Sequence, residues 1–215
     1  MISLRGVGKS YRVRNGRHTV FAGVDLHVGR GEKVGILGRN GAGKSTLIRL
    51  ISGSELPSQG AISRDMSVSW PLALSSAFQG SLTGIDNIYF IARVYDVAPA
   101  RVIPFVEEFS ELGLYLREPV KSYSSGMRAR LAFAISMAVE FDCFLIDEVI
   151  AVGDSRFHER CAIELFEKRR DRAMVMVAHE PQSIREHCDR ACVLHHGQLL
   201  AFDKVGSALD FYDSH

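Results

Sequence analysis

The stretch "GRNGAGKST", Gly38 to Thr46, constrains the fold more than any other part of this 215-residue chain. It matches G-x-x-x-x-G-K-[ST], a pattern that needs a strand before it and a helix after it. Both are present. "EKVGILG" reads as a strand ending in glycine, and "KSTLIRLIS" follows with helical spacing. Gly38, Gly41 and Gly43 permit φ > 0 and let the backbone approach a polyphosphate without a Cβ in the way. The run Gly38, Arg39, Asn40, Gly41, Ala42, Gly43, Lys44, Ser45 and Thr46 then presents successive N–H groups as an anion nest. The positive end of the following helix reinforces it. Lys44 is placed to reach the β- and γ-phosphates, and the Ser45 hydroxyl to bind Mg²⁺.

A phosphate loop alone admits kinases, GTPases and many ATPases. "FDCFLIDE" narrows the choice. Asp147 ends an apolar strand, where a carboxylate holds Mg²⁺, often through water. Glu148 follows directly, where it can orient or deprotonate an attacking water.

The rest of the chain suits one α/β domain. It is 47% hydrophobic and 24% charged, enough apolar surface for a core. A net charge of +1 calls for neither nucleic acid nor acidic lipid. Arg5, Lys9, Arg12, Arg14 and Arg17 read as solvated strand and turn surface. "ISLRGV" and "FAGVDLHV" alternate like half-buried strands near the N-terminus. Residues 84 to about 140 change to helical period, opening with Thr83 and Asp86 at capping-box spacing. "CFLID" and "AMVMVA" resemble buried parallel strands, and "EKRRDR" between them reads as a solvated helix face. The N-terminus shows no apolar signal region, and the longest apolar run, 131–146, is broken by Glu140 and Asp142. The expected place is the cytosol, or a membrane surface reached through a partner. The four cysteines show no disulfide framework.

"YSSGMRARLAFAIS", Tyr123 to Ser136, raises a further question. Ser124, Ser125 and Gly126 precede a helix carrying Leu131, Ala132, Ile135 and Val139 on one side, and the free N–H groups and dipole let the helix start take an anion. Plain N-cap duty for Ser124 is the alternative. One nucleotide does not need two cradles in one chain. A second copy resolves this: its helix start would close on the γ-phosphate held by the first copy's loop.

The order and spacing of these segments resemble the ATP-binding subunit of ABC transporters over essentially the whole chain. "YSSGM" stands at the place of that family's LSGGQ signature, with Tyr123 lying 24 residues before Asp147. His179, 32 residues after Asp147, resembles the switch histidine that contacts the γ-phosphate. Tyr11 resembles the aromatic residue that stacks on adenine, and "VGD" at 152–154 resembles the D-loop. The resemblance implies a P-loop NTPase with a RecA-like core, an N-terminal antiparallel β subdomain and an inserted helical subdomain over about 84–140. It also implies ATP and Mg²⁺, with Ser45 and Asp147 as metal ligands, Glu148 and His179 as catalytic residues, and a head-to-tail homodimer around two ATPs.

Departures from the family pattern point further. Met127 replaces Gln, Ser125 replaces Gly, and Val149 follows the catalytic Glu where Pro is common. The Q-loop position falls on Ala73 or Leu74, neither a metal ligand, while Gln79 stands nearby at the wrong spacing. "EVIAVGD" and "SWPLALSSAFQGSLTG" look like polysaccharide exporters, and an end soon after "FYDSH" leans to the capsular type over O-antigen relatives with an extra carbohydrate-binding domain. The implied partners are an integral permease and a polysaccharide cargo, at the cytoplasmic face of a bacterial inner membrane, with no nucleic acid. O-antigen, teichoic acid or a drug are the alternative cargoes. A soluble mechanical ATPase of the same fold is the alternative class, although this chain carries neither a second such domain nor a long coiled-coil insertion.

Overall fold

The structure, a computed structural model, describes residues 1–14, 16–72, 78–147, 154–177 and 181–215. Along these run β1 (Ile2–Val13), β2 (Gly16–Val28), β3 (Lys33–Leu37), α1 (Lys44–Ser52), β4 (Gln59–Arg64), β5 (Val68–Pro71), α2 (Gly84–Val94), α3 (Pro99–Ser110), α4 (Ser125–Ala138), β6 (Cys143–Asp147), α5 (Ser155–Ala162), β7 (Ala173–Val177), α6 (Pro181–His187), β8 (Arg190–His195), β9 (Gln198–Phe202) and α7 (Val205–Ser214). Contacts divide the chain into two compact units. One holds both sheets, and the other spans 72–140 and 149–170.

In the first unit, six strands lie in the order β5-β6-β7-β3-β8-β9, all parallel except the β8–β9 pair. Strands β3, β6 and β7 are buried almost throughout, which explains their unbroken apolar runs. Their register matters for function. Asp147 pairs with Val177, and Val177 pairs with Ile36, so the carboxyl ends of β6, β7 and β3 come level. Ligands of open parallel sheets bind at that edge. The antiparallel sheet runs β2-β1-β4. A shared core of Ile2, Leu4, Phe21, Leu26, Val34, Leu47 and Leu50 joins it to α1 and β3.

The second unit is helical. The capping box is present at α2: Thr83 Oγ1 accepts from the Asp86 N–H at 3.0 Å, and Asp86 Oδ2 accepts from the Thr83 N–H at 3.2 Å. Two sequence expectations differ from what is observed. Helix α4 is not one-sided, because Leu131 through Met137 are all buried. Over those two turns it is packed around its whole circumference, with Phe133 stacked on Phe109 of α3 at 5.8 Å. The "EKRRDR" segment is not a uniformly solvated face either. Arg169 is buried, bonded to Glu164 Oε1 at 2.7 Å and to the Met137 carbonyl at 2.6 Å. Burial raises the Glu164 carboxyl, but the Arg169 and Lys168 hydrogen bonds outweigh it and leave it below the usual carboxylate range. Among the described residues no helix is long and apolar enough to cross a membrane.

Candidate functional site

The turn between β3 and α1 is held where the sequence pattern requires it. Gly38 sits so close to β8 that a Cβ there would lie 2.8 Å from the Leu194 carbonyl oxygen. Gly43 is the N-cap of α1 with φ +106, and a Cβ there would strike Val20 Cγ1. No side chain caps α1, and its first turn carries no acidic residue. That leaves the helix start positive and open to an anion. The Lys44 side chain turns back into the loop and is buried. Its Nζ donates to the Gly38 carbonyl at 2.6 Å and to the Arg39 carbonyl at 3.3 Å.

These contacts make Gly43 a sensitive position. Gly43→Ala combines a φ that L-residues avoid with a clash against β2. Its expected cost is about 2–4 kcal/mol of unfolding free energy, read from urea denaturation. A loss below about 0.5 kcal/mol would show that the loop relaxes freely.

Ser45 is exposed in the first turn of α1, and Asp147 is half-buried at the end of β6. Hydroxyl and carboxylate are hard oxygen donors, the kind Mg²⁺ takes together with water and phosphate oxygens. The residues present therefore fit that ion. Glu148, Val149, Ala73, Leu74, His179 and the D-loop residues Val152 and Gly153 lie outside the described residues. Asp154 is described. It caps α5, accepting from the Phe157 N–H at 2.9 Å, and its carboxylate bonds Arg130 at 2.8 Å.

Tyr11 stands near the end of β1, half-buried. The Lys9 ammonium lies over its ring, 5.0 Å from the centroid. Lys9 is no solvated surface residue: its side chain is 12% exposed and bonds Glu55 at 2.8 Å. Glu55 also takes Arg49 Nε at 3.2 Å, while the other arm of Arg49 donates to Thr46 Oγ1 at 3.1 Å. Burial raises the Glu55 carboxyl, but hydrogen bonds from Lys9, Tyr11 and Arg49 prevail and bring it down to about 2. Sequence reasoning missed this group, since Lys9 and Glu55 are 46 residues apart and nothing local marks them as partners.

A cleft of about 320 Å³ opens beside the loop, with His18, Arg39, Asn40, His195, His196 and His215 on its walls. The His195 ring packs on His196 at 4.1 Å and on His215 at 5.7 Å. Desolvation lowers the His195 pKa, and the neighbouring His196, His215 and Arg39 lower it further. The outer wall of the loop is thus lined by imidazoles and the Arg39 guanidinium.

In the second unit, Ser124 is the N-cap of α4 and accepts from the Met127 N–H at 3.2 Å. Ser125 and Gly126 form the first turn behind it. Tyr123 is buried, and its hydroxyl donates to the Tyr115 carbonyl. Gln79 is exposed, with its backbone N–H and carbonyl both held by the buried side chain of Asn87.

A glycine-rich loop between the central strand of a parallel sheet and a helix, with an aspartate level with it two strands away, defines a P-loop nucleoside triphosphatase fold. The profile of the ABC transporter family matches residues 21–151, and the chain belongs to that family. It is 59% identical over 213 residues to the ATP-binding protein BexA of Haemophilus influenzae, covering 99% of this chain and 98% of that protein. It is also 59% identical over 214 residues to the capsule polysaccharide export ATP-binding protein CtrD of Neisseria meningitidis serogroup B, covering 100% and 99%. Among solved structures, an ATP-binding subunit of an ABC transporter superposes with a TM-score of 0.79 at 21% identity, covering 100% of this chain and 98% of that one. A dimeric, post-hydrolysis ATP-binding cassette bound to ADP and Pi, MJ0796, gives 0.78 at 21%, covering 93% and 96%. At that identity the superpositions speak to fold.

Proposed function

We propose that this chain is the ATP-hydrolysing subunit of an ABC exporter that drives capsular polysaccharide across the bacterial inner membrane. The observation that carries this reading is the end-to-end likeness to CtrD, whose name states capsule polysaccharide export. A 45% identical relative, the polysialic acid transport protein KpsT of Escherichia coli, supports the same cargo class. Teichoic acid export proteins are matched at 35%, one of them over only 38% of its own length, and are the second reading.

In this reading two copies close around two ATP molecules. The backbone of Gly38, Arg39, Asn40, Gly41, Ala42 and Gly43 and the Lys44 ammonium hold the phosphates, with Thr46 closing the first turn behind them. Ser45 and Asp147 hold Mg²⁺, which supplies positive charge against the developing negative charge on the phosphoryl oxygens. Tyr11 stacks on the adenine. Glu148 takes the proton of the attacking water, and His179 bonds the γ-phosphate. Ser124, Ser125 and Gly126 come from the second copy, where the cap serine, whose oxygen accepts from the Met127 N–H, can donate its own hydroxyl hydrogen to a phosphate oxygen. ATP then acts as interface material, and hydrolysis releases the interface.

The permease partner would sit on the helical unit, placing the subunit at the cytoplasmic face of the inner membrane. Helix α2 exposes Tyr89, Phe90 and Val94, each at least 50% accessible, beside a groove of about 840 Å³ shared with Arg93, Val97 and Pro99. Large apolar side chains clustered in the open are the mark of a protein-binding face.

Cargo is tested genetically. The gene is deleted and complemented with wild type or Glu148→Gln, and long-chain polysaccharide is quantified on the surface and inside the cell. Polymer lost outside, accumulating inside and restored only by wild type is the expected result. Unchanged polymer in both places would refute the capsule cargo and leave an ATPase with another substrate.

A further inference from the structure

The group around Glu55 bears on how a purine base is held. Lys9 and Tyr11 are two residues apart on β1, so their side chains share one face of the strand. The Lys9 ammonium over the Tyr11 ring occupies one ring face, so a flat partner would have to take the other. Glu55 lies in the loop after α1 and gathers Lys9 Nζ on one carboxylate oxygen and Arg49 Nε on the other. Lys9 Nζ also donates to the Leu56 carbonyl at 2.8 Å, which pins the same loop to the strand. Arg49 in turn reaches Thr46, two residues beyond Lys44. The aromatic ring is therefore tied through one carboxylate to the helix that begins at the phosphate loop.

That tie has a chemical use. The ribose fixes how far a base sits from its phosphates, so a stacking ring gains affinity only when its place relative to the loop is set beforehand. We infer that Glu55 is a positioning residue that orients Tyr11 as the platform for the base of a purine nucleoside triphosphate. This rests on the reading of Tyr11 as the base-stacking residue. Glu55 touches neither base nor phosphate in this account and acts through Lys9 and Tyr11.

The test uses the full chain and two probes, ATP and inorganic tripolyphosphate, which carries the phosphates but no base. Affinities are measured by calorimetric titration at fixed Mg²⁺. Glu55→Gln should weaken ATP about tenfold and change tripolyphosphate by less than about twofold, in line with the worth of one aromatic–base stack. Glu55→Asp, which keeps the charge, should fall between Gln and wild type. In a Tyr11→Ala background, Glu55→Gln should change ATP affinity by less than about twofold, since the two residues act as one unit.

Equal losses for both probes would overturn the inference, because the damage would then have passed along α1 to the loop. Unchanged ATP binding in Glu55→Gln, with Tyr11→Ala clearly weakened, would overturn it while leaving Tyr11 as the platform. ATP binding unchanged in Tyr11→Ala would overturn the platform reading and the inference together. If Glu55→Gln shows no cooperative melting, the double variant Lys9→Met with Tyr11→Phe carries the same comparison with the same outcomes, since it removes both links from the carboxylate, the Lys9 ammonium and the Tyr11 hydroxyl, and keeps the ring.

Discussion

Glu148→Gln should slow ATP hydrolysis by about two to four orders of magnitude while leaving ATP affinity close to wild type. The argument is one of proton inventory. A glutamate beside an attacking water accepts its proton as the new P–O bond forms. A glutamine of the same shape can still hydrogen-bond the water but cannot take the proton. Binding is spared because the phosphates are held by the loop, Lys44 and the metal donors. The variant should therefore collect in the nucleotide-bound state, and with it the closed homodimer. Steady-state phosphate release and size-exclusion chromatography with ATP, run against the wild type with ADP, read both consequences. Phosphate release within about threefold of wild type would remove Glu148 from the role of base.

Lys44→Ala should lower ATP affinity about a hundredfold and abolish measurable turnover. The ammonium is a buried point charge seated among the carbonyls of Gly38 and Arg39. Moving it onto a phosphate replaces two neutral acceptors by anionic ones, and charge-assisted bonds are the stronger kind. The alanine variant loses that gain and also strips the loop carbonyls of their donor. Lys44→Arg should not restore function, since a forked guanidinium does not fit the space of a compact ammonium. Titration with ATP and circular dichroism melting separate lost binding from lost folding. Binding near wild type in a well-folded Lys44→Ala would place the phosphates elsewhere.

What could be read from residues alone was whatever is encoded over short spans. The strand–loop–helix around Gly38–Thr46 is local, so β3, the loop and α1 stand where the pattern puts them. The Thr83–Asp86 box is likewise local, closing over three residues. What escaped is what depends on distant neighbours. The other faces of α4 carry Phe133, Ala134, Ser136 and Met137, all buried by neighbours the local sequence does not name; the Ser136 hydroxyl is satisfied by the Ala132 carbonyl at 2.8 Å. Arg169 reads as a surface charge until Glu164 and the end of α4 close around it. Lys9 looks like one of several solvated cations until the loop after α1 brings Glu55 to it. The candidate catalytic residues were legible through spacing to a known family, which supplies roles that burial and bonding in this chain do not.

The place of β3 in the sheet has a consequence for how the protein is made. Its two neighbours are β7 and β8, which lie more than 130 residues later in the chain. The phosphate loop leaves the ribosome long before the strand that anchors it finds a lateral partner, since that partner begins at Ala173. Parallel pairing over such separations is slow and leaves apolar strand edges open in the meantime. Nucleotide capture is therefore a late event in biogenesis, and a nascent chain halted before Ala173 would carry the complete loop motif without a finished site behind it.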